Sequence, residues 1–165
     1  MSELDFKVPH DVIPSTDPQR TLLSVIVPAY NEEETIVENV RSMLALHYPD
    51  FEVIVVNDGS KDRTLAALIE ALGLQKVERV WHADVPHAEI RGLYGSPRYP
   101  RLLVVDKVNG GKSDALNAGI NLSRFPLFCA VDADSLLDHD SLLQVMRPFI
   151  EEPEEMVAVG GRICI

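Results

Sequence analysis

Cysteine is nearly absent from this 165-residue sequence: Cys129 and Cys164 stand far apart in apolar runs. So placed, they read as two buried free thiols rather than as a disulfide framework or a thiolate metal centre. Basic residues are in the minority, 15 against 26 acidic ones. The resulting net charge of −11 leaves no basic patch of the size a nucleic-acid partner needs, so nucleic acid is excluded as a partner. No apolar run approaches the ~18 residues of a membrane span. No basic segment followed by an apolar one opens the chain, so a secretion signal is not expected and the piece itself is expected to be cytoplasmic. Also missing is a Gly-x-Gly-x-x-Gly after the first apolar run, which disfavours a dinucleotide site.

What remains is a composition, 46% hydrophobic and 25% charged, that suits one globular domain. Residues 1–20, with Pro9, Pro14 and Pro18, read as an irregular lead-in. From residue 21 to 165 two periodicities alternate. Leu22–Val27, Phe51–Val56, Leu102–Val105 and Leu127–Val131 are continuous apolar runs, as expected of strands buried on both faces. Between them Ile36–Leu44, Leu65–Leu72, Ser113–Leu122 and Asp140–Ile150 carry apolar residues at helical spacing. Pro148 should kink or end the last helix, and Met156–Val159 reads as the start of a further strand. The stretch from Gly73 to Arg101 is interrupted by prolines, with short elements conceivable at Lys76–Val80 and Ala88–Tyr94. Alternating strand and helix predicts an α/β fold, a mostly parallel sheet with helices on both faces. In such sheets ligands bind beyond the C-terminal ends of the strands. The residues following each strand should therefore share one site.

Those residues carry the chemistry. Asp132-Ala133-Asp134 follows an apolar strand, and carboxylates at i and i+2 on extended backbone point to one side, roughly 7 Å apart at Cα. Oxygen ligands without histidine or thiolate suit Mg²⁺ or Mn²⁺ completed by phosphate oxygens; the same pair would also serve to cap a turn. Such a cation would let an acidic protein accept a diphosphate. In Asn57-Asp58-Gly59-Ser60, Gly59 suits a tight turn and Ser60 an N-cap, while the Asp58 carboxylate at this edge suits a nucleobase N–H or a ribose hydroxyl. Glu32, Glu33 and Glu34 open the first helix, where acidic side chains complement the dipole and repel a phosphate. A base stacked near Tyr30 fits there better. Gly110-Gly111-Lys112-Ser113 fails the Walker pattern because Asp106 stands where its first glycine belongs. It still offers backbone amides, Lys112 and nearby Lys107 as anion contacts, with Ser113 as an N-cap. Asn117 points to the same edge or to solvent. His82, His87 and Glu89 fall in the least regular stretch and read as solvent-exposed.

Taken in order, four blocks resemble the family 2 glycosyltransferases of the GT-A fold. They are Val25-Ile26-Val27-Pro28-Ala29-Tyr30-Asn31-Glu32-Glu33, Val55-Val56-Asn57-Asp58-Gly59-Ser60, Asn109 through Gly119, and Asp132-Ala133-Asp134-Ser135. The resemblance covers about residues 22–165. It implies a nucleotide-sugar-binding part of a GT-A domain, in which Pro28, Tyr30, Glu32 and Asp58 contact the nucleoside, usually uridine. It further implies that Asp132 and Asp134, with Ala133 between them, bind the diphosphate and its Mg²⁺ or Mn²⁺, with Lys112 near the donor. The Gly-Lys variant before Ala115-Leu116-Asn117 is similar to bacterial polysaccharide-synthase-like members, which often carry further membrane helices. That resemblance implies a whole protein at the cytoplasmic face of the bacterial inner membrane, transferring sugar with inversion from a UDP-sugar to an acceptor hydroxyl. The family's later Glu-Asp-type block and its Gln-x-x-Arg-Trp motif have no counterpart here, since Trp81 lies far upstream. A catalytic base is therefore not expected in this chain, which reads as a truncated piece, itself inactive. Rival readings are a non-catalytic nucleotide-sugar-binding module and a receiver-type phosphoacceptor domain. The latter needs an acidic pair where Pro28-Ala29-Tyr30 stands.

Overall fold

The computed structural model describes residues 22–81, 83–152 and 155–160. Its elements in chain order are β1 (Leu23–Ala29), α1 (Ile36–Leu44), β2 (Phe51–Asp58), α2 (Thr64–Leu72) and β3 (Gln75–Val77). They continue with β4 (Ile90–Ser96), β5 (Tyr99–Lys107), α3 (Lys112–Leu122), β6 (Leu127–Ala130) and α4 (Ser141–Glu151). One six-stranded sheet runs in the order β3-β4-β5-β2-β1-β6. The neighbours β5, β2, β1 and β6 are parallel, while β4 runs antiparallel to both β5 and β3.

Strict alternation along the central strands explains why they are apolar throughout. Val25, Val27, Val53, Val55, Leu102 and Val104 pack with Ile36, Val40 and Met43 of α1, Leu68 and Leu72 of α2, and Leu142 and Met146 of α4. The intervening Ile26, Ile54, Val56, Leu103 and Val105 pack with Ala115, Ala118 and Leu122 of α3. Three helices cover one face and α3 the other, so both faces of the central strands β1, β2 and β5 are dry. The contact stripe of α3 consists of small residues, which lets the helix lie close to the sheet; a Cβ on Gly119 would run into the side chain of Ile26.

Three expectations change. The irregular stretch from Gly73 to Arg101 contributes β3, β4 and the start of β5, so the sheet gains an antiparallel margin. Loop residues Val85 to Ala88 are tied along α3: the Asn121 amide pairs with both Val85 backbone groups, Asn117 Nδ2 donates to Pro86 O, and Asp114 accepts the Ala88 amide. Asn117 thus serves a loop rather than the sheet edge or solvent. Residues 155–160, including Met156–Val159, contain no strand. Pro148 lies inside α4, whose last turn ends at Glu151. Cys129 is a free, half-buried thiol, pushed up in pKa by burial. Cys164, His82 and the 1–20 lead-in lie outside the described residues. Among the described residues no helix is long and apolar enough to cross a membrane.

Candidate donor and metal site

The chain runs outward from β1 through β2 to β5 and then returns to place β6 on the other side of β1. The connections therefore reverse direction between β1 and β6, and at such a switch point the loops part and leave a crevice. Tyr30 follows β1 and Asp132 follows β6, so the two flank this crevice. Asp58 and Lys107 are the last residues of β2 and β5.

Asp132 to Ser135 form a turn rather than extended backbone, closed by the Ser135 amide on Asp132 O at 3.0 Å. Burial of Ala133 explains the change: its methyl enters the core while Asp132 and Asp134 stay exposed. The Ala133 carbonyl accepts Asn39 Nδ2 at 2.6 Å, from a nearly buried position on α1. Asn39 is thus an anchor for the aspartate turn that spacing alone did not reveal, because 94 residues separate the partners. Lys112, at the start of α3, meets Asp132 Oδ1 at 2.5 Å with both side chains more than half exposed.

The glycine loop differs from expectation in an informative way. Asp58 Oδ1 accepts Lys107 Nζ at 2.5 Å and the Gly110 amide at 3.0 Å. Its Oδ2 accepts the Gly111 amide at 2.7 Å and Asn109 Nδ2 at 3.2 Å. A carboxylate has about four acceptor sites, and all are taken. The anion in the Gly110-Gly111 amides is therefore Asp58 itself, not a ligand. Lys107 is no anion contact either: it is fully buried between Asp58 and Asp114 and also donates to Val108 O at 2.6 Å. Of the two lysines, only Lys112 faces the open edge. Gly59, at φ +65, is required here because a Cβ would lie 2.7 Å from the Asn109 amide.

The β1–α1 and β2–α2 loops clasp each other. Asn31 adopts φ 57, its amide donates to Ser60 Oγ at 3.0 Å, and its Oδ1 accepts the Lys61 amide at 2.8 Å. The Glu32 amide donates to Thr64 Oγ1 and the Glu33 amide to Asp62 Oδ2, while Glu33 Oε2 accepts the Arg63 amide. Ser60 therefore caps no helix; α2 begins at Thr64. Glu32 to Glu34 lie in the turn before α1, which begins at Ile36, and Ser113 lies inside α3 rather than capping it. Burial acts to raise the Asp62 carboxyl, but bonds from Thr64 and the Glu33 amide outweigh it and hold it below the usual range. The outcome is a fixed frame in which Tyr30 stays 43% exposed and Glu32 half-buried, with Pro28 in β1 opposite Val56. His87 Nδ1 lies 2.7 Å from Ala88 O, and no group of three or more His, Cys, Asp or Glu able to hold a metal occurs among the described residues. Two exposed carboxylates with no third protein ligand fit a hard cation completed by substrate oxygens and water.

Known proteins share this sequence pattern and fold. Over 140 residues the chain is 30% identical to a poly-β-1,6-N-acetyl-D-glucosamine synthase of Staphylococcus epidermidis, covering 84% of this chain and 28% of that protein. The chain thus spans little more than a quarter of the length of such relatives. Among solved structures it is similar to the mannosyltransferase PcManGT of Pyrobaculum calidifontis in complex with GDP-Man and Mn²⁺. The TM-score is 0.61 at 26% identity, covering 81% of this chain and 34% of that one. It is also similar to residues 1–349 of TarS from S. aureus in complex with UDP-GlcNAc, with a TM-score of 0.59 at 25% identity, covering 88% and 37%. The model of glycosyl transferase family 2 matches residues 24–83 and 84–165, which takes in every strand and helix around the crevice, and the chain belongs to that family.

Proposed function

We propose that this chain is the donor-binding part of an inverting glycosyltransferase that moves a sugar from a UDP-sugar to an acceptor hydroxyl. The observation that carries this reading is the Asp132–Asp134 turn at the β1/β6 crevice with the Lys112 ammonium on Asp132. That crevice offers one exposed cation and two exposed carboxylates, the complement of a diphosphate with a divalent metal. Asp132 and Asp134 would hold Mg²⁺ or Mn²⁺, whose Lewis acidity when bound offsets the charge on the leaving diphosphate. Lys112 swings from Asp132 to a phosphate oxygen, an easy exchange for an exposed pair. Tyr30 offers its ring to the base, with Pro28 and Glu32 beside it as nucleoside contacts. Asp58 contributes through the Gly110-Gly111 backbone that it grips, fixing where α3 and Lys112 begin.

The solved relatives bound to GDP-Man and to UDP-GlcNAc support a nucleotide-sugar donor. The base that would deprotonate the acceptor belongs to a later block of the whole protein, so this chain binds donor and transfers little. We infer a whole protein at the cytoplasmic face of a bacterial inner membrane, a reading that the chain's likeness to a polysaccharide synthase supports. Titration calorimetry of this chain with UDP and Mn²⁺ tests the reading. Binding should require both components and fall at least about tenfold, ~1.4 kcal/mol, in Asp132→Ala plus Asp134→Ala. Unchanged binding in that double variant would remove the metal site.

A further inference from the structure

The rim opposite the donor crevice carries a second polar construction. Glu52, the second residue of β2, is 1% exposed. Its Oε1 accepts Ser24 Oγ and the Arg124 amide, each at 2.8 Å, and its Oε2 accepts Arg124 Nε at 2.8 Å. Arg79 Nη1 lies 3.9 Å from the same Oε2. A buried carboxylate thus holds Arg124 through its backbone amide and its guanidinium Nε, and attracts the Arg79 guanidinium through charge. Six residue steps of extended chain lead from Glu52 to Asp58, roughly 20 Å, so this cluster is remote from the metal site.

The two arginines line a cleft of about 370 Å³ together with Lys76 and Arg101. Among the described residues neither Lys76 nor Arg101 has an ion pair. Arg101 is held instead by Pro49 O at 2.9 Å and by the Phe51 ring. Glu52 is the only carboxylate in the lining. Four cations against one enclosed anion is a local excess that runs against a chain of net charge −11. Holding Arg124 explains Glu52, but it explains neither Lys76 nor Arg101. Burial lowers the Arg79 pKa most; Glu52 raises it, and the like charge of Arg124 lowers it again. An anion would relieve that repulsion. Val77, Leu102 and the ring of Tyr99 supply apolar wall, with the polar Gln75 and Ser96 also in the lining.

We propose that this cleft binds a phosphate ester, its phosphate on Arg79, Arg101, Arg124 and Lys76 and its apolar or aromatic part against Tyr99 and Val77. Bidentate guanidinium donors suit phosphate oxygens, and Glu52 pre-orients one of them. The ester is either a free small molecule or a lipid headgroup, and two experimental arms separate these sources. The chain is titrated in EDTA, which silences the donor site, with phenyl phosphate in one arm. Phosphatidylcholine vesicles with and without phosphatidic acid form the other. The Nε–H resonances of Arg79 and Arg124 report binding.

Shifts with phenyl phosphate assign a soluble ligand. Binding only to vesicles that contain phosphatidic acid assigns a headgroup. In either case Lys76→Gln plus Arg101→Gln weakens binding at least about tenfold, and Asp132→Ala plus Asp134→Ala leaves it unchanged. Lys76→Gln alone, at an exposed strand position, gives a smaller loss without touching the core and guards against misfolding of the double variant. The proposal fails if neither arm perturbs the arginines. It also fails if the lysine and arginine substitutions leave binding intact, or if the aspartate substitutions abolish it.

Discussion

Lys107 is fully buried with Asp58 and Asp114 around its ammonium, whereas Lys112, one loop later, keeps most of its side chain in water beside Asp132. The difference in surroundings sets the expected consequences. Replacing Lys107 by Met leaves two carboxylates without the cation that offsets them. Removing one partner of a buried pair costs about 3–5 kcal/mol, which urea unfolding of Lys107→Met should read directly. A loss below about 1 kcal/mol would mean that water reaches Asp58 and Asp114 in the variant. For Lys112 the sign is the interest. Without nucleotide, Lys112 competes with a metal for Asp132, so Lys112→Met should tighten Mn²⁺ binding, by up to about fivefold for an exposed pair worth at most ~1 kcal/mol. With UDP present the same change removes a phosphate contact and should weaken binding of the UDP–Mn²⁺ pair. Both affinities moving in one direction would sink the idea that Lys112 exchanges between Asp132 and phosphate.

Helix α3 shows how an element carries its N-terminal lysine to the crevice. Ala115, Ala118 and Gly119 let it sit close over β1 and β2, and Gly119 lies against Ile26, a fully buried β-branched residue with little room to turn. Gly119→Ala removes a helix-destabilising glycine, worth about 1 kcal/mol, but forces overpacking at about 1–3 kcal/mol. The net expectation is lower stability in urea, with a displaced α3 and weaker UDP–Mn²⁺ binding. A more stable variant with unchanged binding would show that the helix position is not set by this contact.

The elements themselves were largely legible: the runs around Val25, Val53, Val104 and Leu127 are all strands, and the stripe Ile36, Val40, Met43 is a helix. For β1, β2 and the inner part of β5 burial on both faces leaves a continuous apolar signature, whereas β6, expected to be buried likewise, is an edge strand with Phe128 52% exposed. Local pattern did not suffice for Ile90–Ser96, where Arg91, Gly92 and Gly95 obscure a strand that exists through its pairing with β5. Nor could it show that Asp58 fills the Gly110-Gly111 amides, or that Asn39 holds Ala133, because each bond joins residues 50 or more positions apart. Residue types marked the right edge, while the assignment of each polar atom to a partner depended on the fold.

Across the whole molecule two opposing effects of acid meet. Protonation reduces the net charge of −11 and with it self-repulsion, but such charges are spread out and screened beyond ~10 Å at ordinary salt. Against this stand two carboxyls held low, Asp62 and Asp114, each tying distant loops together. For Asp114, burial alone would raise the carboxyl, and the Lys107 ammonium and Ala88 amide outweigh it. A carboxyl whose folded pKa lies below its unfolded value of 3.8 contributes stability that is complete above that value. The contribution is lost as pH falls through the folded pKa. The unfolding free energy should therefore hold steady from about pH 7 to 5 and decline below about pH 4. The loss should be local at first. Protection factors, corrected for the intrinsic pH dependence of exchange, should drop at the Ala88 amide, which Asp114 holds, and at the Glu33 amide, which Asp62 holds, before β1 responds. In Asp114→Asn the acid step at Ala88 should vanish while that at Glu33 persists, because the two carboxyls sit in separate loop clasps. Simultaneous loss at Ala88, Glu33 and Val25 in both proteins would instead mean that acid unfolds the sheet as one unit, with neither loop titrating on its own.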